Sequence, residues 1–265
     1  MQRCPISRIP VALAVGASLV IVVLAATGGW SQTQSQAPAA KSKKVDPKIN
    51  EPFRRPNVKE YLKKFEAEDR ENYARRHEIV AALELAPGMA VADIGAGTGF
   101  FTRLFAERVG PGGRVYAVEI APQFLEHIAA DARKHRQTQV TTVLGSQVST
   151  NLPKESVDLV FLSDVYHHLE RPETVLASIH RALRPGGRLV VIEFDRVEGK
   201  SSAFVLKHVR AGKDVFQKEI EAAGFTPIPT PNPPRLKENF FQSFRKTPVS
   251  PTRSAGEGRR EGSGN

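Results

Sequence analysis

An apolar strand that stops at a carboxylate and runs into three closely spaced glycines constrains this chain most: Val91-Ala92-Asp93-Ile94-Gly95-Ala96-Gly97-Thr98-Gly99-Phe100. Glycines there let the backbone turn sharply, with no Cβ to hold a ligand off. The residues that follow read as a helix, whose free N–H groups point back at the turn. A second apolar run, Val115-Tyr116-Ala117-Val118, ends in Glu119. That carboxylate falls about 20 residues past the turn, where the second parallel strand of such a unit ends and an acid can accept both ribose hydroxyls. Strand, glycine turn, helix and strand together make a nucleoside-binding half-site.

The glycine spacing decides which nucleoside fits. A dinucleotide fingerprint beginning at Gly95 requires a glycine at position 100, and that residue is Phe100. The spacing is instead G-x-G-x-G, preceded two residues earlier by Asp93. An acid there repels a pyrophosphate and suits a ligand that carries an ammonium and a sulfonium. On these residues the chain resembles the class I S-adenosylmethionine-dependent methyltransferases, whose first motif is E/D-x-G-x-G-x-G and whose second strand ends in Asp or Glu. The resemblance covers about residues 57 to 246. It is nearest in look to the type 11 domains that include quinone-biosynthesis C-methyltransferases.

Net charge is +10 over 265 residues, which would invite a nucleic-acid reading. Its distribution argues against one. Residues 1–56 hold 8 basic and 2 acidic side chains, whereas residues 57–246 hold 27 and 24. The expected domain is thus close to neutral, and no nucleic-acid partner is expected. Arg3 and Arg8 precede an uncharged, largely apolar run from Ile9 to Trp30, which reads as an export signal or a membrane anchor. The expected organisation is a signal peptide or anchor over 1–31, a flexible linker over 32–56, a methyltransferase domain over 57–246 and a disordered tail over 247–265. Membrane association through residues 9–30, or export to a periplasm, follows from the run; a cytoplasmic-facing domain stays open, because the cofactor is made in the cytosol.

Apolar residues at Val58, Tyr61, Leu62 and Phe65, and again at Tyr73, Ile79, Val80 and Leu83, predict one bent helix or two ahead of the glycine turn. Beyond Gly88 strand and helix alternate. Strands are expected at 90–94, 114–119, 139–144, 157–163 and 188–194, and helices at 99–109, 122–135, 172–184 and 203–223. The two last strands are expected near Ala223-Gly224-Phe225 and Glu238 to Arg245. Alternation with Val-rich strands implies an α/β fold: a doubly wound, seven-stranded, mostly parallel sheet, Rossmann-like, with an N-terminal helical extension.

Ligands of such sheets bind at the carboxyl ends of the strands. That rule gathers Asp93 to Gly99, Glu119, Gly145-Ser146-Gln147 and Ser163-Asp164-Val165-Tyr166-His167-His168 at one edge. The resemblance implies S-adenosylmethionine as cofactor, with Asp93, Gly95, Ala96, Gly97 and Gly99 around its methionine part, Glu119 on its ribose and Ile120 against its adenine. Ser146 or Gln147 would read the adenine amino group, with Ser163 also at the cofactor. Tyr166, His167 and His168 follow the fourth strand, where the family's substrates meet the methyl group, and are the candidate catalytic residues; either histidine is a candidate base near neutral pH. A metal site from His167, His168 and Glu170 is not expected, because nothing in so short a segment aims three ligands at one point. Asn232-Pro233-Pro234-Arg235 is similar to an amide and adenine N-methyltransferase motif but lies far past the fourth strand and lacks its aromatic residue. The expected acceptor is a small molecule, lipid-like or quinone-like. A non-catalytic S-adenosylmethionine-binding scaffold and a protein isoaspartate-type O-methyltransferase stand as alternatives; Leu85-Ala86-Pro87-Gly88-Met89 is similar to the latter family.

Overall fold

The structure, a computed structural model, describes residues 45–247. The expected signal or anchor over 1–31, with its apolar run, and the expected tail from 248 onward lie outside the described residues. Among the described residues no helix is long and apolar enough to cross a membrane.

Three short α-helices precede the first strand: α1 (Val58–Phe65), α2 (Glu71–Ala74) and α3 (Arg76–Ala82). The order then runs β1 (Ala90–Ile94), α4 (Phe100–Val109), β2 (Arg114–Glu119), α5 (Pro122–Lys134), β3 (Val140–Leu144) and β4 (Val157–Ser163). It continues with α6 (Pro172–Ala182), β5 (Leu183–Phe194), α7 (Ala203–His208), α8 (Lys213–Ala222), β6 (Phe225–Ile228) and β7 (Asn239–Lys246). One seven-stranded sheet forms in the order β3-β2-β1-β4-β5-β7-β6. Every pairing from β3 to β5 is parallel, and β7 is antiparallel to both its neighbours. Strand order reverses between β1 and β4, so the carboxyl ends of β1, β2, β4 and β5 frame a crevice.

Two-residue periodicity divides the core between the sheet's faces. Ala90, Ala92 and Ile94 pack with Val160, Leu162, Leu189 and Val191 beneath α6 and α8, through residues such as Ile179 and Phe216. Val91 packs on the other face with Leu159, Phe161, Val190 and Ile192 beneath α3 and α4, through Ile79 and Phe105. Both faces are covered, as the near-continuous apolar strands require.

Three expected elements differ. The strand expected over 188–194 begins at Leu183, which pairs with Val157 of β4, so the helix expected to run to 184 ends at Ala182. The helix expected over 203–223 is two, α7 and α8, because Val209 and Ala211 turn into the core and Gly212, a poor helix former, starts the second. Arg210, between them, forks onto Glu219 and lies over the Phe216 ring at 4.7 Å. The flexible linker expected over 32–56 is also corrected for its described part. Pro47–Phe53 is a 3-10 helix capped by Asp46, whose side chain accepts the Lys48 N–H at 3.0 Å. Asn50 is 3% exposed and bonds to residues 118 and 120 positions away. A proline- and lysine-rich composition carries no trace of such distant partners.

Candidate functional site

The glycine loop after β1 is shaped by what surrounds it. Gly95 has φ +68°, and a Cβ there would lie 2.5 Å from Val165 Cγ2, so only glycine fits between β1 and the segment after β4. Gly97 donates its N–H to Glu119 Oε1 at 3.0 Å. The other oxygen of Glu119 accepts the N–H groups of Ile120 at 2.7 Å and Ala121 at 3.4 Å. One carboxylate thus ties the end of β2 to the loop after β1. Burial raises its pKa, against those three N–H groups, which favour the charged form.

Asp93 ends β1 on the same crevice. It is 3% exposed, and its Oδ2 accepts the Thr102 hydroxyl from α4 at 2.7 Å. Burial pushes its pKa up to about 7; the Thr102 bond opposes the rise and the Glu119 charge adds to it. Among the described residues no cation pairs with Asp93. A buried carboxylate without a counter-charge is costly, and a cationic ligand would relieve that cost.

These groups line a cavity of about 430 Å³, a size that suits a small-molecule ligand. Of the residues expected at the site, Asp93, Gly95, Ala96, Gly97, Glu119, Ile120, Ser146, Gln147, Ser163, His167 and His168 all face it. Two expectations are corrected. Gly99 is off the cavity: with φ +79° it caps α4, and its missing Cβ makes room for Ile128 of α5. Tyr166 points the other way, its ring on Phe216 and its hydroxyl donating to Glu219 at 3.0 Å, fully buried. A larger hollow, about 680 Å³ beside α4, holds none of the expected residues.

Asp164, quoted in the strand-end segment but given no role, is a hub. It follows β4 at φ +53°, a conformation Asp tolerates better than most residues. Its carboxylate accepts from Arg70 and Asn72, each at 2.9 Å, and from Asn239. Asn72 also donates to Ser163 Oγ at 3.0 Å. Burial raises the Asp164 pKa against the Arg70 charge. These bonds pin α2 across the strand ends. An acid just past the strand at which the order reverses was the available signal.

Phe65 lies over the glycine loop, its ring 3.2 Å from where a Cβ on Gly97 would be, while Phe53, Phe194 and Phe204 line the cavity beside the histidines. Against Phe53, Phe194 and Phe204 lie His168, His167 and His208, ring centroids 5.0, 5.9 and 4.8 Å apart respectively; His208 comes from α7, and no local pattern marks it. His167 is 1% exposed, and its Nδ1 meets Glu193 Oε1 at 2.8 Å. Burial opposes a charge on His167, but Glu193 and Asp164 outweigh it and raise the pKa. Burial, then the neighbouring His167 and His208, lower His168 to about 2. The cavity therefore offers acids and N–H groups at one end and an apolar, aromatic and imidazole surface at the other. Its acidic end suits a cation bearing hydroxyls.

The "methyltransferase domain" family matches residues 92–191. A ubiquinone/menaquinone biosynthesis C-methyltransferase of Bordetella parapertussis is 34% identical over 111 residues, which are 42% of this chain and 43% of that protein. An arsenite methyltransferase of Halobacterium salinarum is 33% identical over 111 residues, 42% of this chain and 28% of that protein. The chain thus spans less than half the length of either relative. The solved structure of an S-adenosylmethionine-dependent methyltransferase from Aquifex aeolicus superposes with a TM-score of 0.54 at 20% identity, covering 77% of this chain and all (100%) of that one. That last likeness is one of fold.

Proposed function

From a chain that carries the class I S-adenosylmethionine-dependent methyltransferase domain, with the cofactor that domain and fold imply, we propose methyl transfer to a small, apolar, ring-bearing acceptor. The observation that carries the reading is the joining of Gly97 to Glu119 at 3.0 Å on one cavity with Asp93. Asp93 meets the positive charge of the cofactor's methionine part. Glu119, with its outer lone pairs, takes the ribose hydroxyls. Ile120 lies against the adenine, with Ser146 and Gln147 near its edge.

When bound, the cofactor supplies a methyl carbon already made electrophilic by the sulfonium: the acceptor's lone pair forms the new bond, and the C–S pair stays on sulfur as a neutral thioether. The protein's part is to position the acceptor and exclude water. Phe53, Phe194 and Phe204, grouped around the histidines, support a planar apolar acceptor, in keeping with the quinone-related relative. Arsenite fits less well, because it seeks thiols and the only cysteine, Cys4, lies outside the described residues. Activation of the acceptor falls to the histidines. The apolar run of residues 9–30 supports a domain tethered to a membrane or exported.

Calorimetric titration of the full chain tests the cofactor assignment. S-adenosylmethionine should bind and NAD should not, and Glu119→Ala should weaken binding by about 1.5–3 kcal/mol through loss of a charged acceptor. Unchanged affinity in that variant would put the ribose elsewhere, and binding of NAD alone would overturn the reading.

A further inference from the structure

Three imidazoles from two distant segments converge on one point of the cavity wall. One ring nitrogen of each of His167, His168 and His208 lies within 4.8 Å of the other two. Their ring centroids are 4.1, 5.0 and 5.4 Å apart in pairs. Packing alone does not require this arrangement, because the polar partners of two rings fix which nitrogen is left over.

Asn50 donates its amide N–H groups to the His168 carbonyl at 3.0 Å and to Glu170 Oε1 at 2.9 Å. Its oxygen must then face His168 Nδ1, 2.8 Å away, so that nitrogen carries the proton and Nε2 keeps its lone pair. In His167, Nδ1 donates to Glu193 Oε1, which also accepts the Phe194 N–H at 2.8 Å, while Glu193 Oε2 accepts the His167 backbone N–H at 3.1 Å. His167 Nε2 is left buried with no hydrogen-bond partner. A buried nitrogen without a partner is costly. A carboxylate or a carbonyl on Nδ1 is also the usual way a ligating histidine is oriented toward a metal.

We propose that His167, His168 and His208 form a site for a zinc-class divalent cation on the wall of this cavity. Imidazole suits zinc, cobalt or nickel; magnesium and calcium want oxygen ligands. Three protein ligands leave a tetrahedral ion one position for water or an oxygen of a substrate. Tetrahedral bonds would bring the nitrogens to about 3.4 Å, and His208, partly exposed at the end of α7 and stacked on Phe204 at 4.8 Å, is the ring free to close the difference. Glu170, the third ligand weighed from sequence, instead holds Asn50. If methyl transfer is the activity, which is the one part that rests on the function proposed above, the cation would bind an acceptor hydroxyl or enol oxygen and stabilise it as the anion, the proton leaving to water.

The test is titration of the full, chelator-stripped chain with Co²⁺, with S-adenosylmethionine affinity measured on the same samples. One equivalent of Co²⁺ should bind with the intense visible bands of a low-coordinate ion, be displaced by Zn²⁺ and be untouched by Mg²⁺. Acetohydroxamate, an oxygen chelator, should change those bands. His208→Ala, at a partly exposed position, should abolish the bands while cofactor affinity stays within about threefold, and Asn50→Ala should weaken Co²⁺ binding about 10–100-fold. Absence of stoichiometric Co²⁺ binding by the folded chain, unaltered binding in His208→Ala, or bands indifferent to acetohydroxamate would each overturn the proposal. Metal binding without cofactor binding would keep the cation site and overturn the transferase reading alone.

Discussion

At the scale of the residue, Asp93 shows how one side chain joins stability to ligand charge. Its native pKa of about 7 lies above the ordinary aspartate value of 3.8. Between about pH 4 and 7 the native protein therefore holds a proton that the unfolded chain has lost, and stability falls as pH rises through that window. Below the window the contribution is whole. Asp93→Asn keeps an acceptor for Thr102 and removes the titration, so the loss of unfolding free energy between pH 5 and pH 7.5, measured in urea, should be smaller than in the parent protein. An equal loss would assign the proton to another group. The same carboxylate was legible in the sequence from its place before Gly95, but its lack of a cationic partner among the described residues was not.

At the scale of the element, α7 is only six residues long yet brings Phe204 and His208 to the cavity. Its start depends on Ser202, whose hydroxyl oxygen accepts the Val205 N–H at 3.3 Å. Ser202→Ala should cost about 1 kcal/mol of local helix stability, speeding amide exchange over residues 203–208 roughly five- to tenfold with little change in global unfolding. Exchange unchanged in α7 would mean that packing, not the cap, holds it. Most strands were read nearly to the residue, because a period of two with valine and leucine on both faces has one buried solution; the fifth was not, since it begins at Leu183 rather than 188. The long C-terminal helix was not, because its apolar spacing continues through Val209 and Ala211, which the core takes out of line.

At the scale of the molecule, the stretch before α1 belongs to the folded body. Val45 and Asn50 are buried, and the Phe53 ring lies 5.3 Å from Tyr61 and 5.0 Å from His168. A chain beginning at residue 57 should be less stable than one beginning at residue 45 by at least about 2 kcal/mol, from lost apolar burial and the Asn50 bonds. That corresponds to roughly 4–8 °C in Tm, read by calorimetry. Equal melting of the two would mean that residues 45–56 only lie on the surface.

What the sequence determined by itself was the local and the periodic: the glycine turn, the carboxylates of Asp93 and Glu119, the alternation of strand and helix, and so the crevice where strand order reverses. Those signals are written within about 30 residues of one another, and the right-handed crossover rule carries them to a sheet. What only the tertiary structure decided was the meeting of groups with no common pattern: Asn50 on His168, Arg70 and Asn72 on Asp164, Glu193 behind His167, and His208 beside both histidines. It also turned Tyr166 away from the cavity, because its position after β4 does not say which side of the chain faces inward. Such contacts depend on where separate elements dock, and docking is set by the sum of many weak apolar contacts rather than by any motif.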